Sequence, residues 1–315
     1  MEYVRIGNSG LKLTQITFGS ALTIGTENLA QSFSDELISK AWELGIRSFD
    51  TSNNYGFGEA ERLVAKSLKH YPRDEYVIST KGSWQIGESP YHKGLSRKHI
   101  FWAAEESLKR MELDYVDLYY AHRYYDDVSM EEIVRTFNYL INKGLIRYWA
   151  TSEWPVHALE KCHEVCDRLG LEKPVLEQSF YSYAVQKVST NGVKDFCMKH
   201  GVGMLGFGVL AQGLLTGKYK DGIPEDSRIA KSEKINYSKT ADIYNQNRET
   251  ITLFLKICEK YGVKPVAAAL GWSIRNRIYP VLGASRPKQL EESILALESD
   301  IPEGFWKELG ETSHI

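Results

Sequence analysis

Val116-Asp117-Leu118-Tyr119-Tyr120, then Met130-Glu131-Glu132-Ile133-Val134-Arg135-Thr136-Phe137-Asn138-Tyr139-Leu140-Ile141, then Ile146-Arg147-Tyr148-Trp149-Ala150 is the stretch that decides the fold. The outer segments are apolar runs of strand length. The middle one repeats its apolar residues at helical spacing. Gly144 follows the last periodic residue, where helices commonly stop. Strands that alternate with helices imply a parallel sheet.

The same unit recurs along the chain. Short apolar runs occupy 15–18, 46–49, 76–79, 116–120, 146–150, 175–178, 204–207 and 280–282. Helical periodicity occupies 33–44, 59–68, 97–111, 130–141, 156–169, 193–200, 247–261 and 287–297. Eight units with no Pro/Gly/Ser linker predict an α/β fold, a closed (β/α)8 TIM barrel rather than a doubly wound sheet. Ahead of it, residues 1–13 place two alternating runs around Gly7-Asn8-Ser9-Gly10, an N-terminal β-hairpin. After the seventh strand, 219–245 is polar and aperiodic and reads as a long loop insertion. Two helical patterns, 247–261 and 263–275, then stand where one is expected. All of 1–315 is thereby accounted for as one domain.

Composition narrows the function. Thirty-nine basic and 41 acidic side chains leave a net charge of −2, which gives no electrostatic case for nucleic acid. No apolar run approaches membrane-spanning length, and Met1-Glu2-Tyr3-Val4-Arg5 does not open a signal peptide. Four cysteines in 315 residues are not a disulfide framework, so the cytoplasm is the expected location. Cys162-His163-x-x-Cys166 lacks a complementary cluster, and no metal is expected. Gly201-Val202-Gly203-Met204-Leu205-Gly206 fits the dinucleotide fingerprint in letters only. A helix precedes it and a strand follows, the reverse of the required order.

Barrels of this class carry chemistry at the C-terminal ends of their strands. Those ends read Gly19-Ser20, Asp50-Thr51, Lys81, His122, Thr151-Ser152, Gln178, Phe207-Gly208 and Gly283-Ala284-Ser285. Asp50, Lys81 and His122 end consecutive strands and should converge on one mouth. Tyr55 lies five residues past Asp50.

These residues, with Phe49-Asp50-Thr51-Ser52, Tyr55-Gly56, Glu59-Ala60-Glu61, Thr80-Lys81, residues 94–100, Leu113-Asp114-Tyr115-Val116-Asp117-Leu118, Trp149-Ala150-Thr151-Ser152, Trp154, Gly217-Lys218-Tyr219 and Gly283-Ala284-Ser285, carry a resemblance. The chain resembles the aldo-keto reductase superfamily, in particular the branch that includes the β-subunits of voltage-gated potassium channels. The resemblance implies a catalytic tetrad of Asp50, Tyr55, Lys81 and His122. In chemical terms, hydride addition to a carbonyl leaves negative charge on the oxygen, and Tyr55 would protonate it. Lys81 would bring the tyrosine pKa down towards the working range, Asp50 would hold Lys81, and His122 would hydrogen-bond the carbonyl oxygen.

The resemblance also implies NADPH/NADP+ bound across the strand ends. Ser152 and Gln178 would hold the carboxamide, and Phe207 would stack on the nicotinamide. Ser20, Asp50 and Gly208 would border that pocket. Leu210 and Gln212 would line the pyrophosphate path, and Lys218 and Arg228 would close the polar loop. Gly283, Ser285, Arg286, Gln289 and Glu292 would meet the adenosine end, Ser285 and Arg286 favouring the 2′-phosphate. The chain departs from the family at Phe207-Gly208-Val209-Leu210, which lacks the usual Ser-Pro, and at Ser20-Ala21, where the β-subunits have Thr-Trp.

Tyr55, Trp84, His122, Tyr124, Tyr125 and Trp154 would form an aromatic substrate wall suited to a small aromatic or apolar aldehyde or ketone. Three activities compete: an NADPH-dependent carbonyl reductase, a cofactor-binding regulatory subunit like the channel β-subunits, and a Schiff-base aldolase using Lys81. The β-subunits carry Asn where His122 stands, and some have a long N-terminal extension, which favours the enzyme. Their likeness also implies a homo-oligomer.

Overall fold

A computed structural model describes residues 1–219, 225, 230 and 239–313. Strands β1 (Tyr3–Arg5) and β2 (Lys12–Thr14) pair antiparallel as the N-terminal hairpin. Strands β3 (Thr17–Gly19), β4 (Ser48–Asp50), β5 (Val77–Gly82), β6 (Val116–Ala121), β7 (Ile146–Ser152), β8 (Leu176–Phe180), β9 (Gly203–Phe207) and β10 (Tyr279–Leu282) form the second sheet. All neighbours run parallel, and β10 returns to β3, so the sheet is a closed eight-stranded barrel. Helices between the strands coat its outside, as the alternation predicts.

All eight expected strands are present, and most extend further towards the C-terminus than their apolar runs. Asp50, Lys81 and Ser152 still lie in the ladder, opposite Gly19, Tyr120 and Gln178. Ladder hydrogen bonds use only the backbone, so they continue after the side chains turn polar. This extension fixes the polar residues on rigid strand ends rather than on loops.

The hairpin seals the opposite end of the barrel. Ile6, Leu11 and Leu13 pack on the inward-facing Leu118, Tyr120, Ala150, Leu176 and Leu205. Gly7 permits this approach. It sits at φ +52°, with the Gly201 carbonyl oxygen where a Cβ would be, and Asn8 N–H donates to that oxygen at 2.8 Å. Gly201 itself ends the helix Val193–His200 in left-handed conformation, and β9 follows. The glycine run is thus a helix cap and a strand start.

Several elements differ from the sequence expectation, among them the short helix Lys187–Thr190. Lys239–Gln246 is a helix, so the far end of the expected 219–245 loop is ordered; much of the rest lies outside the described residues. The helical pattern expected from 263 begins at Pro265, whose fixed φ suits a first turn. Finally, a helix over Glu303–Glu311 buries Phe305 and Leu309 completely. Its two buried apolar residues are too few to stand out as a period in the sequence. Among the described residues, no helix is long and apolar enough to cross a membrane.

Glu177 shows how the barrel wall treats a polar side chain facing away from the mouth. It is fully buried and accepts from the hydroxyls of Thr151 at 2.5 Å and Ser179 at 2.9 Å. Burial pushes its pKa from 4.5 up to about 8, against the pull of those two hydrogen bonds. Unfolded, it loses its proton near pH 4.5; folded, it keeps the proton until about pH 8. The unfolded state is therefore increasingly favoured between those values, and stability falls as pH rises through that window. We expect Glu177→Gln to flatten this part of the curve of Tm against pH. An unchanged slope between pH 5 and 8 would rule out this source.

Candidate active site

Asp50 at the end of β4 and Lys81 in β5 meet as a buried ion pair at the mouth of the barrel. The Lys81 ammonium has three hydrogens, and each finds an acceptor: Asp50 Oδ2, the Thr51 carbonyl at 2.8 Å and the Tyr55 hydroxyl at 3.4 Å. The second oxygen of Asp50 accepts from Ser79 Oγ at 2.7 Å and Gln178 Nε2 at 3.4 Å. The Tyr55 and His122 rings stand edge to face with centroids 6.0 Å apart. Trp84 meets the other side of His122 at 6.1 Å. The four residues expected at one mouth are together there.

The electrostatics follow from this packing. Burial works against the charge on Lys81, but Asp50 and Tyr55 outweigh it and hold its pKa above that of an ordinary lysine. Burial drives the His122 pKa well down, helped by the Lys81 and Arg123 cations, so the imidazole is neutral. Tyr55 departs from the sequence expectation. Burial pushes its pKa up, and the opposing charge and hydrogen bond of Lys81 do not bring it below that of a free tyrosine. Sequence spacing shows the neighbouring cation but not the depth of burial that wins. The hydroxyl accordingly keeps its proton through the neutral range, as a proton donor must.

A cleft of about 2300 Å³ opens over this group and runs along the strand ends. Ser152, Gln178, Phe207, Gly208, Leu210, Gln212 and Lys218 line it, and Gly283, Ser285, Arg286, Gln289 and Glu292 line its far end. Gly208 is required where it is: at φ +73°, a Cβ there would fall 2.5 Å from the Phe180 ring, which stands edge-on to Phe207. Gln212 is held through its side-chain oxygen by the Thr240 hydroxyl. Ser20 does not reach the cleft; it is fully buried and its hydroxyl donates to the Asp50 carbonyl at 3.1 Å. Arg228 lies outside the described residues.

Of the expected aromatic wall, Tyr55, Trp84, His122 and Trp154 line the cleft. Trp154 is otherwise buried and fixed by its indole N–H on the Ala121 carbonyl at 3.1 Å. Tyr124 is not among the lining residues; it packs between Trp154 and His157. Tyr125 also lies off the wall, beneath the ammonium of Lys93. Both sit in the loop that leaves β6, whose direction no periodicity encodes. The sequence reading missed Arg123. Its Nη1 donates to the His122 carbonyl at 2.6 Å and to Ser152 Oγ at 3.2 Å, joining the ends of β6 and β7. Adjacency to His122 was the only sequence signal for it.

The residues present fit a dinucleotide. Gln178 spends an amide hydrogen on Asp50 and keeps its oxygen for a ligand amide. Lys218, Lys264, Arg286 and Lys288 all line the cleft. Arg286 stands at the N-cap of the helix Pro287–Ala296, but its side chain makes no capping hydrogen bond and has no ion-pair partner among the described residues, whereas Ser285 donates to Gln289 through both its N–H and its hydroxyl at 3.0 Å.

The model of the aldo/keto reductase family matches residues 15–313, and the chain belongs to that family. It is 37% identical over 300 residues to a putative voltage-gated potassium channel subunit beta of Schizosaccharomyces pombe, covering 93% of this chain and 87% of the relative. It is 36% identical to a probable subunit of the same kind from Arabidopsis thaliana, covering 95% and 92% of the two chains. An L-glyceraldehyde 3-phosphate reductase of Escherichia coli O157:H7 is 35% identical, covering 95% and 88%.

Proposed function

We propose that the protein is an NADPH-dependent reductase of small aldehydes and ketones. The observation that carries this reading is the Lys81 ammonium, which bridges the Asp50 carboxylate and the Tyr55 hydroxyl beneath a cleft large enough for a dinucleotide and a substrate. When bound, the nicotinamide supplies the hydride to the carbonyl carbon. Tyr55 supplies the proton to the carbonyl oxygen. Lys81 stabilises the tyrosinate left behind, and the Asp50 pair keeps Lys81 charged and in place. Neutral His122 contacts the same oxygen, while Trp84 and Trp154 wall off water. Ser152 and Gln178 orient the carboxamide, and Phe207 stacks on the ring.

A Schiff base on Lys81 needs the neutral amine. Its charge is held by Asp50, which weighs against the aldolase. The named relatives support a second reading, a cofactor-binding regulatory subunit. That reading predicts cofactor binding without turnover. Following NADPH consumption against a panel of aldehydes decides between them. Nitrobenzaldehyde probes the aromatic wall, and the third relative adds a phosphorylated short aldehyde to the panel. No turnover with any member would remove the enzyme reading.

Arg286 carries the preference for the phosphorylated dinucleotide. A charge-assisted contact to phosphate is worth about 1.5–3 kcal/mol, or roughly a ten- to hundredfold change in affinity. Arg286→Ala should therefore weaken NADPH by that factor and NADH by less than threefold, measured by quenching of protein fluorescence. Equal losses for both cofactors would refute the role.

A further inference from the structure

Arg123 follows His122 on the wall of the cleft and is half-buried. Its Nη1 carries two hydrogens, and both are spent: one on the His122 carbonyl at 2.6 Å and one on Ser152 Oγ at 3.2 Å. These bonds anchor the guanidinium to the ends of β6 and β7. They leave its other edge, where Nε–H and one Nη2–H lie side by side in the plane of the group. No hydrogen on Nε or Nη2 has a partner among the described residues, and no carboxylate among them pairs with the charge. Glu153, which follows Ser152, accepts from the Phe180 N–H at 2.6 Å instead. The tie between the strands needs two hydrogens and no charge. At the mouth, Lys81 is answered by Asp50, and Tyr55 and His122 are neutral. Arg123 adds a positive charge that this group does not balance. That charge acts on the spot, since it helps to drive the His122 pKa down.

We propose that Arg123 is a specificity-determining residue, and that the substrate is a short carbonyl compound carrying a carboxylate or phosphate, which takes the Nε–Nη2 edge in a bidentate contact. This assignment rests on the reductase reading above. Distances set the size of the substrate. The Trp84 ring lies 6.1 Å from the His122 ring, and the Arg123 guanidinium carbon lies 5.3 Å from the Trp84 ring. A carbonyl oxygen held by Tyr55 and His122 and an anion held by Arg123 are then a few bonds apart on one molecule. Trp84 stands beside the carbons that join them. Both cleft contacts of the substrate are thereby fixed to strand ends: His122 follows β6 directly, and Arg123 is tied to the end of β7. Lysine would supply the charge without the flat edge, so the guanidinium is the better group for an anion of this geometry.

Two matched pairs of aldehydes isolate the charge: 4-oxobutanoate against its methyl ester, and glycolaldehyde phosphate against glycolaldehyde. In the wild type, kcat/KM should favour the anion about ten- to hundredfold in at least one pair, the worth of a charge-assisted contact. The pair that shows the preference names the anion, and no preference in either pair overturns the proposal. Arg123→Met keeps a long apolar stem without the charge and should erase the preference, while Arg123→Lys should keep part of it. The ratio within a pair cancels what the lost tie to Ser152 costs both members. If Arg123→Met slows both members equally and leaves the preference intact, Arg123 is a structural tie only and holds no anion. If the variant loses NADPH affinity by the same factor, the charge serves the cofactor, and the proposal is again overturned. A direct readout is titration of NADP+-loaded protein with the two alcohol products, 4-hydroxybutanoate and 2-hydroxyethyl phosphate, followed by protein fluorescence. The wild type should bind the favoured one about ten- to hundredfold more tightly than Arg123→Met does. If no aldehyde is reduced, the reductase reading fails, and the titration still decides whether Arg123 holds an anion.

Discussion

Tyr55→Phe is expected to lower turnover by about a hundred- to ten-thousandfold, the usual worth of a positioned proton donor, while the affinity for NADPH changes less than threefold. The substitution deletes one oxygen and keeps the ring, so the edge-to-face contact with His122 survives. What disappears is the group that Lys81 holds at 3.4 Å and that would give its proton to the carbonyl oxygen. The ammonium loses one of three acceptors but keeps Asp50 and the Thr51 carbonyl. The fold should therefore be barely disturbed, and a thermal melt within a few degrees of wild type checks this. Steady-state rates with the best aldehyde of the panel decide the point. Near-wild-type turnover would dismiss Tyr55 as the donor.

Lys81→Met is expected to damage both stability and activity. Lys81 and Asp50 are among the most buried charges in the molecule, at 0% and 3% exposure. Removing one partner of a buried pair leaves the other charge in a medium that cannot solvate it, which costs about 3–5 kcal/mol. Urea unfolding at neutral pH should register that loss. Adding Asp50→Asn removes the stranded charge and keeps the hydrogen bonds with Ser79 and Gln178 available. The double variant should recover most of the stability and none of the activity, because tyrosinate would still lack its cation. If the single variant is as stable as wild type, the pair is not the buried unit described here. If the double variant turns over aldehyde normally, Lys81 has no part in the chemistry.

These two residues also show how much of the site was legible in sequence. Asp50, Lys81 and His122 could be placed at one mouth because strand order in a parallel barrel puts consecutive strand ends side by side. Tyr55 could be placed near them because five residues cannot carry the chain far. The protonation behaviour of Tyr55 was not legible. It results from burial by residues far away in sequence opposing a cation that the sequence does show. The aromatic wall was legible only in part. Trp154 is held to the mouth by an indole hydrogen bond to β6, whereas Tyr124 and Tyr125 turn off it along a loop without a period.

The sequence alone determined the architecture. Alternating apolar runs and helical periods, repeated eight times, permit few arrangements other than a closed parallel barrel. It also determined which residues stand at the strand ends, since period and chain order are local properties. Only the tertiary structure decided the state of those residues. That Lys81 spends all three hydrogens, that Arg123 ties His122 to Ser152, and that one hydroxyl of Ser52 is contested by Asn54 and His122 are facts of distance between different strands and loops. Charge, tautomer and proton position depend on burial and on partners within a few ångströms. Neither is a function of spacing along the chain.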